Sequence, residues 1–294
     1  MEKTLLFITL SNIGDSIMTT PVLEYIHKKN PDFRVDIVCD QKSRQVFEHC
    51  SYLNNIFIKD KKSGLLGILR LIFQLRKKKY KIAIDLRTDF ILYLIRAEKK
   101  FYKVNDSNIH SVKKHFLSIC NNYDELGNPT IWIPKEIEKT IQKKYFLQQK
   151  KILILGVGAN SKHKIWPIEN FVILSKLIKD KFNLIYLVGD SRDRNLANYF
   201  CKFSEIKSVN LCGRLSLIES AAVIKFADFF IGNDSGLGHI ASAVETPSYT
   251  IFGKESPERY HPWSERAYWF KDINGEIKSI LPNQILQSVL KAIN

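Results

Sequence analysis

The chain alternates between short β-type segments and helical segments, and this alternation starts afresh near Lys151. Strands separated by helical crossovers build parallel sheets, so each series predicts one such sheet. The predicted strands are 5–10, 35–40, 55–60 and 81–87 in the first series, and 152–155, 184–188, 208–211, 229–232 and 248–252 in the second. We therefore predict an α/β protein of two Rossmann-like domains with parallel sheets, because one long sheet would leave the restart unexplained.

Helical periodicity fills the gaps between these strands. The predicted helices are 16–29, 42–49, 64–79 and 110–122, then 168–179, 192–203, 216–226 and 237–244. The polar segment 135–151 is typical of a helix that leads to a linker, so we place the domains at 1–148 and 149–281. The last segment, 282–294, has apolar residues at helical spacing and could pack on either domain.

Length and composition exclude several classes of protein. With 294 residues, 45% of them hydrophobic, the chain can bury two cores. No apolar run reaches the roughly 18 residues of a membrane span, and the run 5–10 is shorter than the core of a signal peptide. We therefore expect a cytoplasmic protein. The five cysteines lack C-x-x-C spacing, so reduced thiols are expected at Cys39, Cys50, Cys120, Cys201 and Cys212.

The net charge is strongly positive and unevenly distributed. Of the total of +15, residues 1–150 carry 27 Lys+Arg against 16 Asp+Glu, which is +11, and residues 151–294 carry 18 against 14, which is +4. A basic surface favours an anionic partner, so we place an anionic macromolecular partner at the first half. A compositional bias towards Lys, Ile and Asn would give the same excess without any partner.

The first predicted strand ends in a polar loop, Leu10-Ser11-Asn12-Ile13-Gly14-Asp15-Ser16. Ligands of open α/β sheets bind beyond the carboxyl ends of the strands, where this loop lies. Gly14 allows a tight turn, and Asp15 stands close to the start of a helix. Asp15 is therefore either an N-cap or a carboxylate that faces a ligand. The G-x-G-x-x-G spacing of dinucleotide-binding proteins is absent.

A second loop opens the second predicted domain. After the strand, the small residues 156–161 are followed by Lys162-His163-Lys164 and then by Ile165-Trp166-Pro167 before a helix. Small residues leave backbone N–H groups accessible and the lysines supply positive charge, which together suit a diphosphate. A basic loop that is merely solvated would have the same composition.

The third motif is the run 229–243, in which a strand of buried type ends in a polar turn that opens a helix. Asp234 or Ser235 can cap this helix, and Ser235 and Gly236 can present N–H groups to a phosphate. His239 lies on the first turn, at the end of the helix that attracts anions. A histidine on a helix is usually structural, but this position favours a ligand contact.

Taken in order, these motifs resemble glycosyltransferase family 9, the ADP-heptose–lipopolysaccharide heptosyltransferases. The pieces that carry the resemblance are the Gly14-Asp15 loop with Thr19-Thr20-Pro21, Lys164-Ile165-Trp166-Pro167, the turn at Gly189, the runs 210–217 and 233–243, Thr246-Pro247 and Phe252-Gly253. They span nearly the whole chain. Members of the family often carry Thr where this chain has Ser235, and Pro where it has Lys254.

The resemblance implies a GT-B fold, in which two facing Rossmann-like domains enclose a cleft and the C-terminal helix, here 282–294, packs back on the first domain. The donor would bind the second domain and the acceptor the first. The reaction would be an inverting transfer of heptose from ADP-heptose to a lipid-linked, phosphorylated acceptor of the lipopolysaccharide inner core. Neither a cofactor nor a metal is implied.

The resemblance also implies roles for individual residues. Asp15 would be the general base that deprotonates the acceptor hydroxyl, in an acceptor loop that includes Asn12 and Gly14. This suits the chemistry, because a sugar hydroxyl is a poor nucleophile without a base.

On the donor side, Lys164, Ser235 and Gly236 would bind the diphosphate. Asp234 and His239 would contact the sugar or the phosphate, and Asp193 the ribose. A lysine and helix N-terminal amides can stabilise the negative charge that the leaving diphosphate gains, without a metal.

Two basic segments of the first half concern the acceptor and the membrane. The segment 64–79 is apolar with a basic end, which is typical either of a crossover helix packed on the sheet or of a helix on an anionic membrane. Lys113 and Lys114, with Lys99, Lys100, Lys103 and His115, could contact acceptor phosphates or form a solvated face. We expect a monomer attached peripherally to the cytoplasmic face of the inner membrane.

Three alternatives arise from the same sequence. The fold could use another nucleotide sugar, or an acceptor other than lipopolysaccharide, such as a protein or another surface glycan. A nucleic-acid-binding protein is disfavoured because basic and aromatic residues do not interleave on a recognisable module. A NAD-dependent oxidoreductase is disfavoured because the glycine fingerprint is missing.

Overall fold

A computed structural model describes residues 3–59, 63–87, 90–146 and 150–293. The chain divides into two compact units, Met1–Trp132 and Ile133–Asn294. Each unit is built on its own sheet, and every strand pairing in both sheets is parallel. The predicted α/β class with two parallel-sheet domains is therefore confirmed.

The sheet of the first unit has five strands in the order β3-β2-β1-β4-β5. Its central strand β1 is buried at all five positions, as expected for a parallel strand covered on both faces. The strands are β1 (Thr4–Ile8), β2 (Arg34–Cys39), β3 (Leu53–Ile58), β4 (Tyr80–Asp85) and β5 (Ala97–Tyr102). The helices are α1 (Ile13–Ile17), α2 (Thr20–Lys29), α3 (Arg44–Phe47), α4 (Gly64–Leu75), α5 (Ile91–Leu94) and α6 (Ser111–Leu117).

The sheet of the second unit has six strands in the order β11-β10-β9-β6-β7-β8. The strands are β6 (Ile152–Gly156), β7 (Leu184–Leu187), β8 (Ser208–Asn210), β9 (Phe229–Asn233), β10 (Ser248–Phe252) and β11 (Ala267–Lys271). The helices are α7 (Lys135–Tyr145), α8 (Ile168–Leu177), α9 (Arg194–Phe203), α10 (Leu217–Lys225), α11 (Gly236–Ala243), α12 (Pro257–Tyr260) and α13 (Pro282–Ile293). Strands β6 and β9 lie at its centre and are buried throughout.

Both sheets reverse their strand order beside the strand that starts the series. The reversal falls between β1 and β4 in the first sheet and between β6 and β9 in the second. In open α/β sheets the loops diverge at this point and leave a crevice beyond the carboxyl ends of the strands. The predicted site loops follow β1, β6 and β9, so the topology puts them at the two switch points.

The boundary between the units lies earlier than the sequence indicates. We expected the division at 148/149, whereas the compact units divide between Trp132 and Ile133. Helix α7 packs on α10, and Lys225 Nζ lies 2.5 Å from Glu138 Oε1. The hydroxyl of Tyr186 also donates to the carbonyl oxygen of Tyr145 at 2.8 Å. These contacts make α7 part of the second unit.

The C-terminal helix packs on its own unit. We expected 282–294 on the first domain, but α13 contacts α8 and β10, and Ile285 and Val289 are fully buried in the core of the second unit. The preceding turn is anchored there as well, because the carbonyl oxygen of Ile280 accepts the indole N–H of Trp166 at 2.8 Å. The apolar stripe of α13 therefore completes the core next to it.

Several helices and strands begin or end at residues other than the predicted ones. The helix expected at 16–29 is two helices, α1 and α2, and Pro21 lies in the first turn of α2. The strand expected at 55–60 is β3, which begins at Leu53; the last predicted position, Asp60, lies outside the described residues. Two strands were not predicted, β5 and β11, and each is one of the two edge strands of its sheet.

Candidate active site

The loop after β1 turns directly into α1. Asn12 is the N-cap residue of α1 and Asp15 is its third residue, so the interpretation of Asp15 as the N-cap is wrong. The Asn12 side-chain amide does not cap the helix either; it donates to Asp15 Oδ2 at 2.8 Å. Gly14 is buried, whereas Asp15 is half-buried and Asn12 is exposed. The loop thus presents a carboxylate whose hydrogen-bond donor is a neutral amide.

An arginine that the sequence analysis missed ties this edge of the sheet together. Arg87, just after β4, donates from Nη1 to Asp40 Oδ1 at 2.8 Å and from Nη2 to Ser11 Oγ at 2.6 Å. Its side chain is only 11% exposed and that of Asp40 only 14%. The three residues lie one to three positions beyond the ends of β4, β2 and β1, which is the signal in the sequence that could have identified them. The network fixes the loop that carries Asp15.

The basic run on α6 is not a solvated face. Lys114 and His115 are buried, and only Lys113 of the three is partly exposed, with its ammonium 5.4 Å from the centre of the Tyr123 ring. Burial, reinforced by the charges of Lys114 and Lys103, lowers the pKa of His115 to about 3, so its imidazole is neutral at physiological pH. Its Nδ1 is buried and has no hydrogen-bond partner among the described residues.

In the second unit, Asn233 at the end of β9 holds the loop that follows β6. Its amide oxygen accepts the backbone N–H of Trp166 at 3.0 Å, and its amide nitrogen donates to the carbonyl oxygen of Val157 at 2.8 Å. Asn233 is fully buried, so these bonds are shielded from water. One side chain therefore fixes the backbone on both sides of the segment that contains Lys164.

Lys164 is paired and is not part of a solvated loop. Its Nζ lies 2.6 Å from Asp234 Oδ2 and 3.4 Å from Glu255 Oε1. Partial burial lowers the pKa of this ammonium, but the hydrogen bond and charge of Asp234, joined by Glu255, outweigh burial and raise it. Lys164 is therefore a cation held at the carboxyl edge of the sheet by two carboxylates.

The N-terminus of α11 begins beside this pair. Ser235 is the N-cap residue of the helix, yet its side chain makes no capping hydrogen bond. Its Oγ is buried and has no partner in the part of the chain that the structure describes. Gly236 is the first residue of α11, where backbone N–H groups point out of the helix and the helix dipole is positive. His239 lies one turn further along and is buried.

Asp193 lies against the loop after β6. A Cβ at Gly158 would stand 2.0 Å from Asp193 Oδ1, so glycine is required for this close approach. Asp193 Oδ2 accepts the backbone N–H of Asp190 at 3.1 Å and closes a capping box at the start of a 3-10 turn. Burial, and secondly the charge of Asp190, raises the pKa of the Asp193 carboxyl.

The structure thus brings together most of the predicted donor-side residues. Four of them meet where β6 and β9 end: Lys164, Asp234, Ser235 and Gly236. The side chain of Asp193 packs against Gly158 in the loop after β6. Glu255 joins them although the sequence analysis gave it no role. Among the described residues, no group of three His, Cys, Asp or Glu side chains is arranged to hold a metal ion.

Comparison with known proteins identifies the family. Residues 93–287 match glycosyltransferase family 9 (heptosyltransferase). Lipopolysaccharide heptosyltransferase 1 of Campylobacter coli is 27% identical over 284 residues, which cover 84% of this chain and 82% of that protein.

Solved structures agree with this match at the level of the fold. The structure of the E. coli ADP-heptose lps heptosyltransferase II has a TM-score of 0.79 at 19% identity and covers 99% of this chain and 98% of its own. The glycosyltransferase family 9 protein of Veillonella parvula has a TM-score of 0.83 at 19% identity, with 100% and 98% covered. This likeness shows that the two parallel-sheet units form the predicted GT-B fold. Because the family match covers more than half of the sequence, the chain belongs to glycosyltransferase family 9 and is a glycosyltransferase.

Proposed function

We propose that this protein transfers a heptose from ADP-heptose to a lipid-linked, phosphorylated acceptor of the lipopolysaccharide inner core, with inversion at the anomeric carbon. The observation that carries the proposal is the preformed anion site of the second unit. There Lys164 Nζ is held 2.6 Å from Asp234, beside the N-terminus of α11 and the unpartnered hydroxyl of Ser235. The relatives named above support heptose as the sugar.

The donor diphosphate is proposed to bind Lys164, the Ser235 hydroxyl and the Gly236 amide. As the acceptor oxygen bonds to the anomeric carbon of the heptose, the bond from that carbon to the diphosphate breaks and leaves negative charge on the departing ADP. An ammonium with helix N-terminal amides stabilises that charge where it develops. Lys164 is already protonated and held, so little reorganisation is needed when the donor arrives. No step of this scheme requires a metal or a cofactor.

The sugar and the nucleoside are assigned to the residues around this site. Asp234 and His239 flank the diphosphate position on β9 and α11, and we propose that they contact the heptose. Asp193 is proposed to accept a hydrogen bond from the ribose. Its Oδ2 is already used by the Asp190 amide, so this role falls to Oδ1, which lies over Gly158.

The first unit is proposed to activate the acceptor. Asp15 would remove the proton of the attacking hydroxyl as the glycosidic bond forms, with Asn12 orienting the carboxylate from 2.8 Å. Gly14, buried next to Asp15 in α1, belongs to the same proposed acceptor loop. Lys113 is proposed to contact the acceptor's phosphates, since it is partly exposed. Lys114 is buried, so it would add positive charge behind that contact instead of touching the phosphate itself.

A donor panel tests the proposal. The protein is assayed with ADP-heptose, ADP-hexoses and UDP-sugars on a truncated lipopolysaccharide acceptor and, separately, on a protein acceptor, each with and without a chelator, and ADP and UDP are compared by thermal shift. We expect transfer only from ADP-heptose and a larger stabilisation by ADP than by UDP. Preference for a UDP-sugar, or transfer to a protein acceptor alone, would overturn the sugar and acceptor assignments while keeping the family. Abolition by the chelator would overturn the metal-independent mechanism.

We also propose that the protein is a monomer that attaches peripherally to the cytoplasmic face of the inner membrane. The excess charge of +11 in residues 1–150 supports attraction to an anionic surface. Flotation with anionic vesicles at low salt tests the attachment. Protein that remained in the soluble fraction would contradict it.

A further inference from the structure

Helix α4 is apolar on two faces, and only one of them is covered. Leu71, Ile72 and Leu75 are buried in the core of the first unit, as expected of a crossover between β3 and β4. The opposite stripe is open to solvent: Leu65, Leu66, Leu69 and Phe73 are 72%, 77%, 51% and 69% exposed. Leu65, Leu69 and Phe73 follow one another at intervals of four residues, so they share one side of the helix. The crossover interpretation of this segment is correct but accounts for only half of the helix.

The neighbouring helix enlarges the open apolar surface. Helix α4 contacts α5, around which Phe90, Tyr93 and Leu94 are 84%, 67% and 47% exposed. We refer to these three side chains, together with the four of α4, as the α4–α5 face. A contiguous apolar patch of this kind marks an interaction surface, in contrast to single exposed apolar residues.

The charged residues of α4 and of the turn after it, all within the described part of the chain, are basic. The sequence 64–79 contains no Asp or Glu, and Arg70, Arg76, Lys77 and Lys79 are all exposed. Lys77 Nζ lies 5.7 Å from the centre of the Phe73 ring, so charge and apolar surface are interleaved. Glu98, an acidic residue on the neighbouring strand β5, is engaged by Lys79 at 3.3 Å and Lys81 at 2.9 Å. An occupant of this face must therefore offer an apolar interior and an anionic boundary.

From this we infer that the α4–α5 face docks on the surface of a bilayer that contains anionic phospholipid, with α4 lying in the plane of the interface. A bilayer boundary combines acyl chains with negatively charged head groups, which matches both properties of the face. Helix α4 has 12 residues, so it is about 18 Å long, too short for a hydrocarbon core of about 30 Å. None of the helices within the described ranges is long and apolar enough to cross a membrane. The inference rests on the proposed function in one respect: an enzyme with a lipid-linked acceptor must reach the membrane surface.

Vesicle co-sedimentation with paired variants tests the inference. The full chain is mixed with phosphatidylcholine vesicles, with or without about 30% phosphatidylglycerol. Leu65→Gln/Leu69→Gln should lower the partition coefficient on anionic vesicles about tenfold, because two leucines no longer insert. Arg70→Gln/Lys77→Gln should lower it by a similar factor at low salt and have little effect at high salt.

Each variant has a matched control in the second unit. Ile173→Gln/Leu177→Gln removes two exposed apolar side chains four residues apart on α8, and Lys139→Gln/Lys143→Gln removes two exposed lysines from α7. Both controls should bind vesicles like the wild type. Equal losses in Leu65→Gln/Leu69→Gln and in Ile173→Gln/Leu177→Gln would overturn the inference. The inference would also be overturned if Leu65→Gln/Leu69→Gln changed the mass of the free protein in sedimentation but not its vesicle binding. The face would then join two copies of the chain.

A transfer assay in parallel separates this inference from the proposed function. With ADP-heptose and a delipidated core oligosaccharide, all four variants should turn over like the wild type, because none of their residues belongs to the proposed site. Vesicle binding by a wild-type protein that shows no transfer would leave the docking surface standing and remove the heptosyltransferase assignment. Transfer by a wild-type protein that does not bind vesicles would remove the docking surface and leave the heptosyltransferase assignment standing.

Discussion

The two units each carry an aspartate just beyond a central strand, and the two carboxylates have different partners. Asp234, after β9, is 2.6 Å from the ammonium of Lys164. Asp15, after β1, accepts a hydrogen bond at 2.8 Å from the neutral amide of Asn12. Within the described residues no ion pair includes Asp15.

This difference matches two kinds of chemistry. A site for a diphosphate needs a cation that is in place before the ligand arrives, and Asp234 holds one. A general base needs the opposite, because a cation within a few ångströms would stabilise the ionised carboxylate and weaken its attraction for a proton. The amide of Asn12 orients Asp15 without adding charge. The comparison therefore supports the proposal that the second unit binds the anion and the first removes the proton.

Removal of the first carboxylate should have the largest effect. We expect Asp15→Ala or Asp15→Asn to lower kcat about 1,000-fold, within the range for general bases, while the affinity for the donor stays nearly unchanged. Transfer rates and ADP affinity by titration calorimetry measure the two effects. Asp32→Asn is the matched control, because Asp32 is 81% exposed and only loosely paired with Lys3. Turnover of Asp15→Asn at the wild-type rate would remove Asp15 from the mechanism.

Removal of the cation in the second unit should affect binding and turnover together. Lys164→Ala takes the ammonium from the diphosphate and leaves Asp234 without its partner, so we expect donor affinity and kcat each to fall about 10- to 100-fold. Lys162→Ala, in the same 3-10 turn but exposed, should change neither by more than about twofold. An unchanged ADP affinity in Lys164→Ala would contradict the proposal that the ammonium of Lys164 binds the diphosphate.

The sequence predicted the centre of each sheet better than its edges. Strands β1, β6 and β9 are continuous apolar runs because both of their faces are covered, and the loops after them carry the predicted site. Strand β5 reads Ala-Glu-Lys-Lys-Phe-Tyr and β11 Ala-Tyr-Trp-Phe-Lys, and both are partly exposed edge strands. Three consecutive charged residues remove the apolar pattern from β5. Strand β11 keeps an aromatic run that is typical of a strand, so charge does not explain why it was missed.

Contacts between distant segments were the other part that the sequence could not supply. Arg87, Asp40 and Ser11 are up to 76 residues apart in the chain and meet because their strands are neighbours in the sheet. Glu255, after β10, meets Lys164, after β6, on the two sides of the single strand β9 that separates them. Lys114 looked like a surface lysine, but the packing of α6 turns it inward. A linear pattern gives residue types and spacing, whereas these placements depend on strand order.

Removal of the unpartnered Ser235 hydroxyl in the second unit should have opposite effects on stability and on donor affinity. Ser235→Ala removes a buried Oγ that bonds to no described residue, so the free energy of unfolding should stay unchanged or rise by at most about 1 kcal/mol. ADP affinity should nevertheless fall about tenfold, because a hydrogen bond to a charged group is lost.

Ser242→Ala on the same helix is the control for Ser235→Ala. Its hydroxyl donates to the carbonyl oxygen of Trp263 at 2.6 Å, so its loss should lower the free energy of unfolding by about 1 kcal/mol and leave ADP affinity alone. Thermal unfolding and calorimetry measure both quantities. A destabilised Ser235→Ala with normal ADP affinity would show that the hydroxyl serves the fold instead of the donor.

The smallest expected effect concerns the second carboxylate beside Lys164, and it decides how the cation is held. Glu255 Oε1 is 3.4 Å from Lys164 Nζ, compared with 2.6 Å for Asp234, and its side chain is 37% exposed. Its attraction for Lys164 is therefore screened by solvent, whereas it lies close enough to repel a diphosphate. We expect Glu255→Gln to bind ADP about two- to threefold more tightly at low salt, and like the wild type at high salt. Weaker binding would mean that Glu255 positions Lys164, and that the second unit needs two carboxylates to hold its cation. Glu258→Gln, an exposed change three residues away on α12, separates this local effect from a general gain of positive charge.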